Sequence, residues 1–447
     1  MIRQMTLKEA LDEASRCLLC EEPECIKGCP AVVDVPGFVR RMRTGNMYGA
    51  IKQIRWTNPL PDICAIVCPT EELCQKNCKL IEESAQPIKI GELQHFVADY
   101  EKKSRTPVTF VKKPRTERVA VLGAGASGLA CAARLAMIGY QVTIFEKRAQ
   151  AGGAMYYFIP PYRLEREVIL REVDAIKDYG VEIKTGISVR GLNELLNHGY
   201  DAVFVGIGAS LSIKIGLPGE EAQGFYPALD FLRMVNESCN DQKRIEGLGD
   251  RVLVIGGGNV AIDCAMSSLH LGVKEVEMIC LEGPNEMPAW SRERNEAWEK
   301  GIIIYNRYMP KEIQVENRRV AGLKAVQIRW KEPDSYIPAN AEEIPGTEIA
   351  LRADTVIEAV GQKASGEVQD LLPGVELDRG LIKVDSETMI TSREGVYAGG
   401  DVVSGGGTVV KAVADGVKAA LSIHDYLDSK KTPDTQTEMT SASNISL

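Results

Sequence analysis

The chain has 447 residues, 45% hydrophobic and 26% charged, a globular balance that excludes wholesale disorder or a membrane channel. Its 53 Lys and Arg against 62 Asp and Glu leave a net charge of −9, so no electrostatic footprint for nucleic acid or an anionic membrane is expected. At roughly 100–200 residues per domain, about three domains fit. The longest apolar window, Val119 to Tyr140, contains Arg134 and is broken by glycines, and the first residues lack a basic, apolar, small-residue leader. The expectation is a soluble, cytoplasmic protein without a membrane span.

Eight of the twelve cysteines precede residue 80, while Cys131, Cys239, Cys264 and Cys280 stand singly. Secreted disulfide scaffolds are short and built around their bridges, so a dense cysteine region on a long ordinary chain favours metal ligation. The first group is Cys17, Cys20, Cys25 and Cys29 with Pro30; the second is Cys64, Cys68 with Pro69, Cys74 and Cys78. A four-iron cube takes four soft ligands, and in two-cluster ferredoxins the cysteine before proline serves the other cube. An interleaved pair of clusters is therefore expected. The alternative is two tetrahedral zinc sites of four thiolates each, although zinc modules usually show separated short pairs. Some of the eight can also be plain buried thiols, Cys64 first among them. Apolar residues at helical spacing run from Val35 to Trp56, and Gly91 to Lys102 reads as another amphipathic helix, so residues 1–115 form an all-α domain around their metal. The stretch Arg105 to Arg118, with two prolines, reads as a linker.

Arg118 to Leu122 is a β-branched strand running into Gly123-Ala124-Gly125-Ala126-Ser127-Gly128 and an alanine-rich helix. Gly123 permits the turn, Gly125 lets backbone approach a pyrophosphate, and Gly128 packs helix on sheet, with helix N–H groups facing the anion. The next strand, Gln141 to Phe145, ends at Glu146, 23 residues after Gly123, where an acid accepts adenosine ribose hydroxyls. The unit repeats: Arg251 to Ile255 enters Gly256-Gly257-Gly258-Asn259-Val260-Ala261, and Glu275 to Cys280 forms the following strand. After it stand Leu281 and Glu282, where an enzyme choosing a 2'-phosphate is expected to carry arginine; Glu282 favours NAD.

Further on, Gly395 to Asp401 is a short strand ending in an acid, and Thr408 to Ala420 begins a helix whose N-terminus can face a flavin, with Asp401 able to bond the ribityl chain. If the first unit shares this element, the second is an insertion, with crossings at Phe204 to Gly208 and Ile357 to Gly361. The expected fold is thus α/β with an N-terminal all-α iron–sulfur domain and two Rossmann-like three-layer domains, the NAD domain (236–354) inserted in the FAD domain (116–235 and 355–428). Ser429 to Leu447 reads as a flexible tail. Alone, Gly-Gly-Asp is most often a turn; Asp263 reads as a helix-surface residue; and His95, His198, His270 and His424 have no companion pattern.

Together these residues resemble the electron-input half of the dihydropyrimidine dehydrogenases and, more widely, the glutamate synthase small subunits, over about residues 10 to 428. Glu13-Ala14-Ser15-Arg16-Cys17-Leu18-Leu19-Cys20 and Cys68-Pro69-Thr70-Glu71-Glu72-Leu73-Cys74 look closer to the pyrimidine family. The resemblance implies a glutamine ligand, Gln94 in Gly91-Glu92-Leu93-Gln94-His95-Phe96, which otherwise reads as a helix-surface amide. The implied ligand sets are Cys17, Cys20, Cys25 and Cys78 for one [4Fe-4S] cluster and Cys29, Cys68, Cys74 and Gln94 for the other, with Cys64 left over. It also implies flavin contacts at Gly153, Arg163 and Val189, and nicotinamide contacts at Asn259, Val260, Ala359, Val360 and Gly361; Lys147, Ala154, Gly400, Thr408 and Val409 are further candidate cofactor-binding residues.

The implied activity is NADH-dependent electron input through FAD and two [4Fe-4S] clusters to an FMN- and iron–sulfur-containing partner subunit in a hetero-oligomer. No protein acid or base is required, because the cofactors carry the hydride chemistry. After residue 80 no two cysteines form a Cys-x-x-Cys pair, which speaks against a disulfide reductase. The remaining alternatives are a glutamate synthase-type electron donor and a non-catalytic zinc/NAD module.

Overall fold

A computed structural model describes residues 2–104, 107–110, 113–238, 245–364, 366 and 368–430. Cys239 and residues 431–447 of the expected tail lie outside the described residues. The chain forms two bodies: residues 2–153, 170–208 and 366 onward in one, and 154–169 with 209–365 in the other.

The first hundred residues are helical. Thr6 and Glu9 form a reciprocal capping box that starts α1 (Leu7–Ser15), satisfying N–H groups that the helix cannot pair itself. The helical spacing read from Val35 to Trp56 is realised as two helices, α2 (Val35–Arg43) and α3 (Met47–Thr57). Gly45, at φ +75°, breaks the periodicity, and the Asn46 side chain caps the restart by accepting the Gly49 N–H. Then come α4 (Pro61–Val67), which carries Cys64, and α5 (Ile90–Ser104), which carries Gln94. Phe38, Met42, Ile51, Ile54, Ile63 and Leu93 are fully buried there.

Next in the chain are β1 (Arg118–Leu122), α6 (Ala126–Ile138), β2 (Gln141–Glu146), α7 (Arg166–Asp178), β3 (Glu182–Thr185) and β4 (Ala202–Val205). They are followed by β5 (Phe225–Pro227), β6 (Arg251–Ile255), α8 (Asn259–His270), β7 (Glu275–Cys280) and β8 (Ile303–Asn306). After these come β9 (Tyr308–Glu316), β10 (Arg319–Trp330), β11 (Ala341–Glu343), β12 (Ile349–Arg352), β13 (Thr355–Glu358), β14 (Val396–Ala398) and α9 (Val409–Ser429).

The first body holds a parallel sheet in the order β14-β4-β1-β2-β3. Its central strands are continuous apolar runs, as strands covered on both faces must be. The second body holds a parallel sheet in the order β5-β13-β6-β7-β8 and an antiparallel one in which β10 pairs with β9, β11 and β12. Because β14 closes the first sheet after the whole second sheet has been traversed, one α/β unit is inserted in the other. The observed division is wider than the expected 236–354: β5 and β13 belong to the second sheet, and residues 154–169 join that body. A three-residue strand such as β5 carries too little periodicity to be assigned from sequence. Among the described residues, no helix is long and apolar enough to cross a membrane.

Candidate functional site

Cys17, Cys20, Cys25 and Cys78 line one cavity, walled also by Val35, Pro36, Leu80 and Ile88. Burial, and then the neighbouring Cys17, Cys78 and Cys20, push the Cys25 thiol up to about 12. Burial also raises Cys17, with Cys20 and Cys78 adding to it. Such a set resists ionisation until a positive centre arrives, and four soft donors around one cavity fit an iron–sulfur cube.

Cys74 is likewise pushed to about 12, by burial first and by Cys29 and Cys25 next. Cys68 is raised by its hydrogen bond with Cys64, by burial, and by Cys64, Cys74 and Cys29. Cys29, Cys68 and Cys74 are therefore neighbours, and Cys64 stands with them, its Sγ 3.6 Å from Asn58 Oδ1. Gln94 is not a surface amide: it is buried, and its Nε2 donates to the Pro61 carbonyl at 2.6 Å. Among the described residues, no group of three or more Cys, His, Asp or Glu is placed to hold a single metal ion.

The same body carries the first glycine turn. Gly123 has φ +96°, and a side chain there would meet the Gly206 carbonyl at 2.5 Å. Gly125 caps α6 without a side-chain bond, and Gly153, at φ +53°, packs against it. The Glu146 carboxylate is buried at the end of β2, accepting the Ala124 N–H at 2.8 Å and the Arg148 N–H at 2.8 Å. Gly400 donates its N–H to Asp415 at 3.0 Å, and Ser127 Oγ donates to the Gly399 carbonyl at 3.2 Å, so the Gly-Gly-Asp segment meets the first glycine turn. Asp401 is raised to about 6, by burial and then by Asp415, with Lys411 opposing. Thr408 caps α9 by accepting the Lys411 N–H; Val189 and Val409 are half-buried and Lys147 is exposed.

Ala154 and Arg163 fall in the second body, apart from the other candidate flavin residues in the chain's division. Arg163 is ion-paired with Asp263 at 2.8 Å and with Glu293. Asp263 is accordingly buried in an ion pair, against its reading as a helix-surface residue, and Tyr162 stacks on His270 with ring centroids 4.2 Å apart.

In that body Gly256 has φ +134°, its outer side against the Ala359 carbonyl, and Gly258 caps α8 without a side-chain bond. Asn259 Oδ1 accepts the Trp290 N–H at 2.8 Å. Glu282 is half-buried, burial raises its carboxyl, and its Oε2 lies 2.8 Å from where a side chain on Gly257 would begin. Leu281 beside it is half-buried too. Ala359 donates its N–H to the Ile255 carbonyl at 2.8 Å, and Val360 and Gly361 (φ +127°) follow. Sequence reasoning missed Asp415 and Glu358; the latter ends β13 fully buried and is pushed up to about 7 by burial. An acid at the end of a central strand is the signal that could have marked Glu358.

Two parallel sheets, each with a glycine turn and an acid beside it, and a helical region holding thiol groups define a nicotinamide-dependent flavin oxidoreductase with a 4Fe-4S domain. Residues 1–106 match the family described as dihydropyrimidine dehydrogenase domain II, 4Fe-4S cluster, and residues 117–416 match pyridine nucleotide-disulphide oxidoreductase, the family to which the chain belongs. The chain is 37% identical to the NADP(+)-dependent formate dehydrogenase subunit beta of Moorella thermoacetica, covering 90% of this chain and 60% of that one. It is 34% identical to the glutamate synthase [NADPH] small chain of Escherichia coli (94% and 92% covered). With the NAD-dependent dihydropyrimidine dehydrogenase subunit PreT of Escherichia coli it shares 36% identity (94% of each chain).

Proposed function

We propose that this chain takes a hydride from NADH and delivers single electrons to a partner subunit, in the manner of a dihydropyrimidine dehydrogenase input subunit. The observation that carries this is the presence in one chain of two glycine turns with acids, Glu146 and Glu282, and a four-cysteine cavity. When bound, nicotinamide and FAD supply the hydride chemistry, and two [4Fe-4S] clusters supply one-electron transfer.

The chain's part is to hold and to shield. Residues 2–104 form the cluster domain, with Cys17, Cys20, Cys25 and Cys78 holding one cube and Cys29, Cys68, Cys74 and Gln94 the other. The body around β1 binds FAD: the free N–H groups of α6 face the pyrophosphate and Glu146 accepts the ribose hydroxyls. The inserted body binds NADH, with Glu282 repelling a 2'-phosphate. The names of the three relatives, each a subunit or chain of an enzyme, support a partner subunit; an FMN-containing pyrimidine reductase in a hetero-oligomer, in the cytoplasm, fits the closer cysteine motifs. The 92% coverage of a glutamate synthase small chain favours as second reading a donor to that kind of partner.

In Cys25→Ser, prepared without oxygen, iron content and electron delivery to the partner should fall while NADH still bleaches the flavin. Equal loss of both would contradict the order of carriers.

A further inference from the structure

In the first body one peptide unit is gripped by side chains at both of its polar atoms. The Gly399 carbonyl accepts the Ser127 hydroxyl at 3.2 Å, and the Gly400 N–H donates to Asp415 Oδ2 at 3.0 Å. Ser127 lies in the first turn of α6 and Asp415 within α9. The peptide stands at a corner. On one side the Gly399 N–H pairs with the Val205 carbonyl at 3.2 Å, next to the pairing of β14 with β4; on the other the Gly400 carbonyl accepts the Val403 N–H at 2.9 Å and starts the turn Asp401–Ser404. Without Ser127 and Asp415 the two atoms between strand and turn would lose these partners, and polar groups left unmade inside a protein are costly.

Asp415 also chooses a direction. An ionised carboxylate has no hydrogen to give, so it favours the N–H of this peptide and repels its carbonyl, whereas the Ser127 hydroxyl tolerates either. Burial raises the Asp415 carboxyl, and the Gly400 N–H, Lys411 and Lys418 oppose this by favouring the charged form. The pair therefore selects one of two orientations of the Gly399–Gly400 peptide. Close contact holds the corner as well: a side chain on Gly399 would meet Asp415 Cβ at 2.9 Å, and one on Gly400, at φ +76°, would meet Ser127 Oγ at 2.8 Å. Asp401 is the next residue along, so the course of the backbone into it is set from α6 and α9 together.

We propose that Asp415 and Ser127 act as one clamp on the Gly399–Gly400 peptide that aims Asp401 at the flavin, which makes Asp415 a positioning residue for FAD. The inference rests on the reading of the body around β1 as the FAD site and adds what ties its late segment to the first glycine turn.

The test is the dissociation constant of FAD, from flavin fluorescence on dilution of the oxygen-free holoprotein, with the visible circular dichroism of the bound flavin and the urea midpoint measured alongside. Asp415→Ala should weaken FAD about tenfold and change the dichroism, as loss of a hydrogen bond to a charged group implies. Asp415→Asn, which still accepts but can also bond the reversed peptide, should restore part of the affinity. Ser127→Ala should weaken FAD too, and the double variant should bind little worse than the weaker single one, because both bonds hold one peptide. Wild-type affinity and dichroism in Asp415→Ala beside a lowered urea midpoint would overturn the clamp, leaving Asp415 to hold α9 alone. If Asp415→Ala does not fold, unchanged FAD binding in Ser127→Ala overturns it equally. Asp415→Asn no better than Asp415→Ala would contradict it as well, because charge and not the bond to Gly400 would then matter. Glu146→Ala separates the two readings: weak FAD binding there with none in the clamp variants removes the clamp only, and unweakened binding in all of them removes the FAD site too.

Discussion

In the proposed reading Glu282 chooses between dinucleotides, its carboxylate lying close to Gly257 while a hydrophobic Leu281 occupies the neighbouring position. Glu282→Arg should raise kcat/KM for NADPH relative to NADH, and a tenfold change corresponds to about 1.4 kcal/mol. An unchanged ratio would show that Glu282 does not read the ribose. Asp401 gives a pH signature. Its folded-state carboxyl, at about 6, binds protons more tightly than the ordinary 3.8, so its contribution to stability is full below about pH 4 and is lost as pH rises through 6. Across that window the urea midpoint of the wild type should fall relative to that of Asp401→Asn, and parallel curves would contradict the assignment. At this scale the positions of Glu146, at the end of its strand, and Glu282, two residues beyond its strand, were legible because an acid near the end of the second strand after a glycine turn is a local pattern. Asp263 was not: its partner Arg163 is 100 residues away, and no spacing reveals an ion pair made by folding.

At the scale of elements, α6 and α9 pack through Gly416, where a side chain would collide with the Ser127 carbonyl and crowd the Cys131 N–H. Gly416→Ala should therefore cost about 1–3 kcal/mol in thermal or urea denaturation, since overpacking a close helix contact forces the backbone apart. Stabilisation instead would show that α9 is free to shift. The strands β1 and β6 were readable because each is a compact apolar run ended by glycine, and β2 and β7 because each follows a glycine turn and its helix. The division of Val35 to Trp56 into two helices was harder to see, because the apolar spacing continues across the Gly45 turn and only the left-handed backbone there stops the helix. The strands β5 and β13 take their identity from pairing in the inserted sheet, a long-range fact.

Within the larger body a buried charge network ties the helical region to the first sheet's surroundings. Arg55 donates to Glu101 and, at 2.8 Å, to Glu172; Glu172 accepts the Asp62 N–H at 2.9 Å; and Asp62 pairs with Arg171 and, at 2.6 Å, with His95. Arg55, Asp62 and Glu172 are each at most 3% exposed, so removing one partner strands charge away from water. Arg55→Ala should cost about 3–5 kcal/mol of stability by urea titration, and a loss near zero would mean that water reaches Glu172. The helical domain and the nesting of one sheet in another were foreseen from cysteine clustering and from a third glycine segment late in the chain. The network was not, since its members are scattered from Arg55 to Glu172. The central claim is that electrons enter as hydride and leave through sulfide-bridged iron. Its most direct test is an oxygen-free NADH titration of the purified protein, monitored at the flavin absorption band, with iron and acid-labile sulfide assayed on the same sample. The account predicts a flavin bleached by NADH and about eight irons with matching sulfide per chain, as two cubes require. A preparation without acid-labile sulfide, or a bound flavin that NADH leaves oxidised, would contradict it.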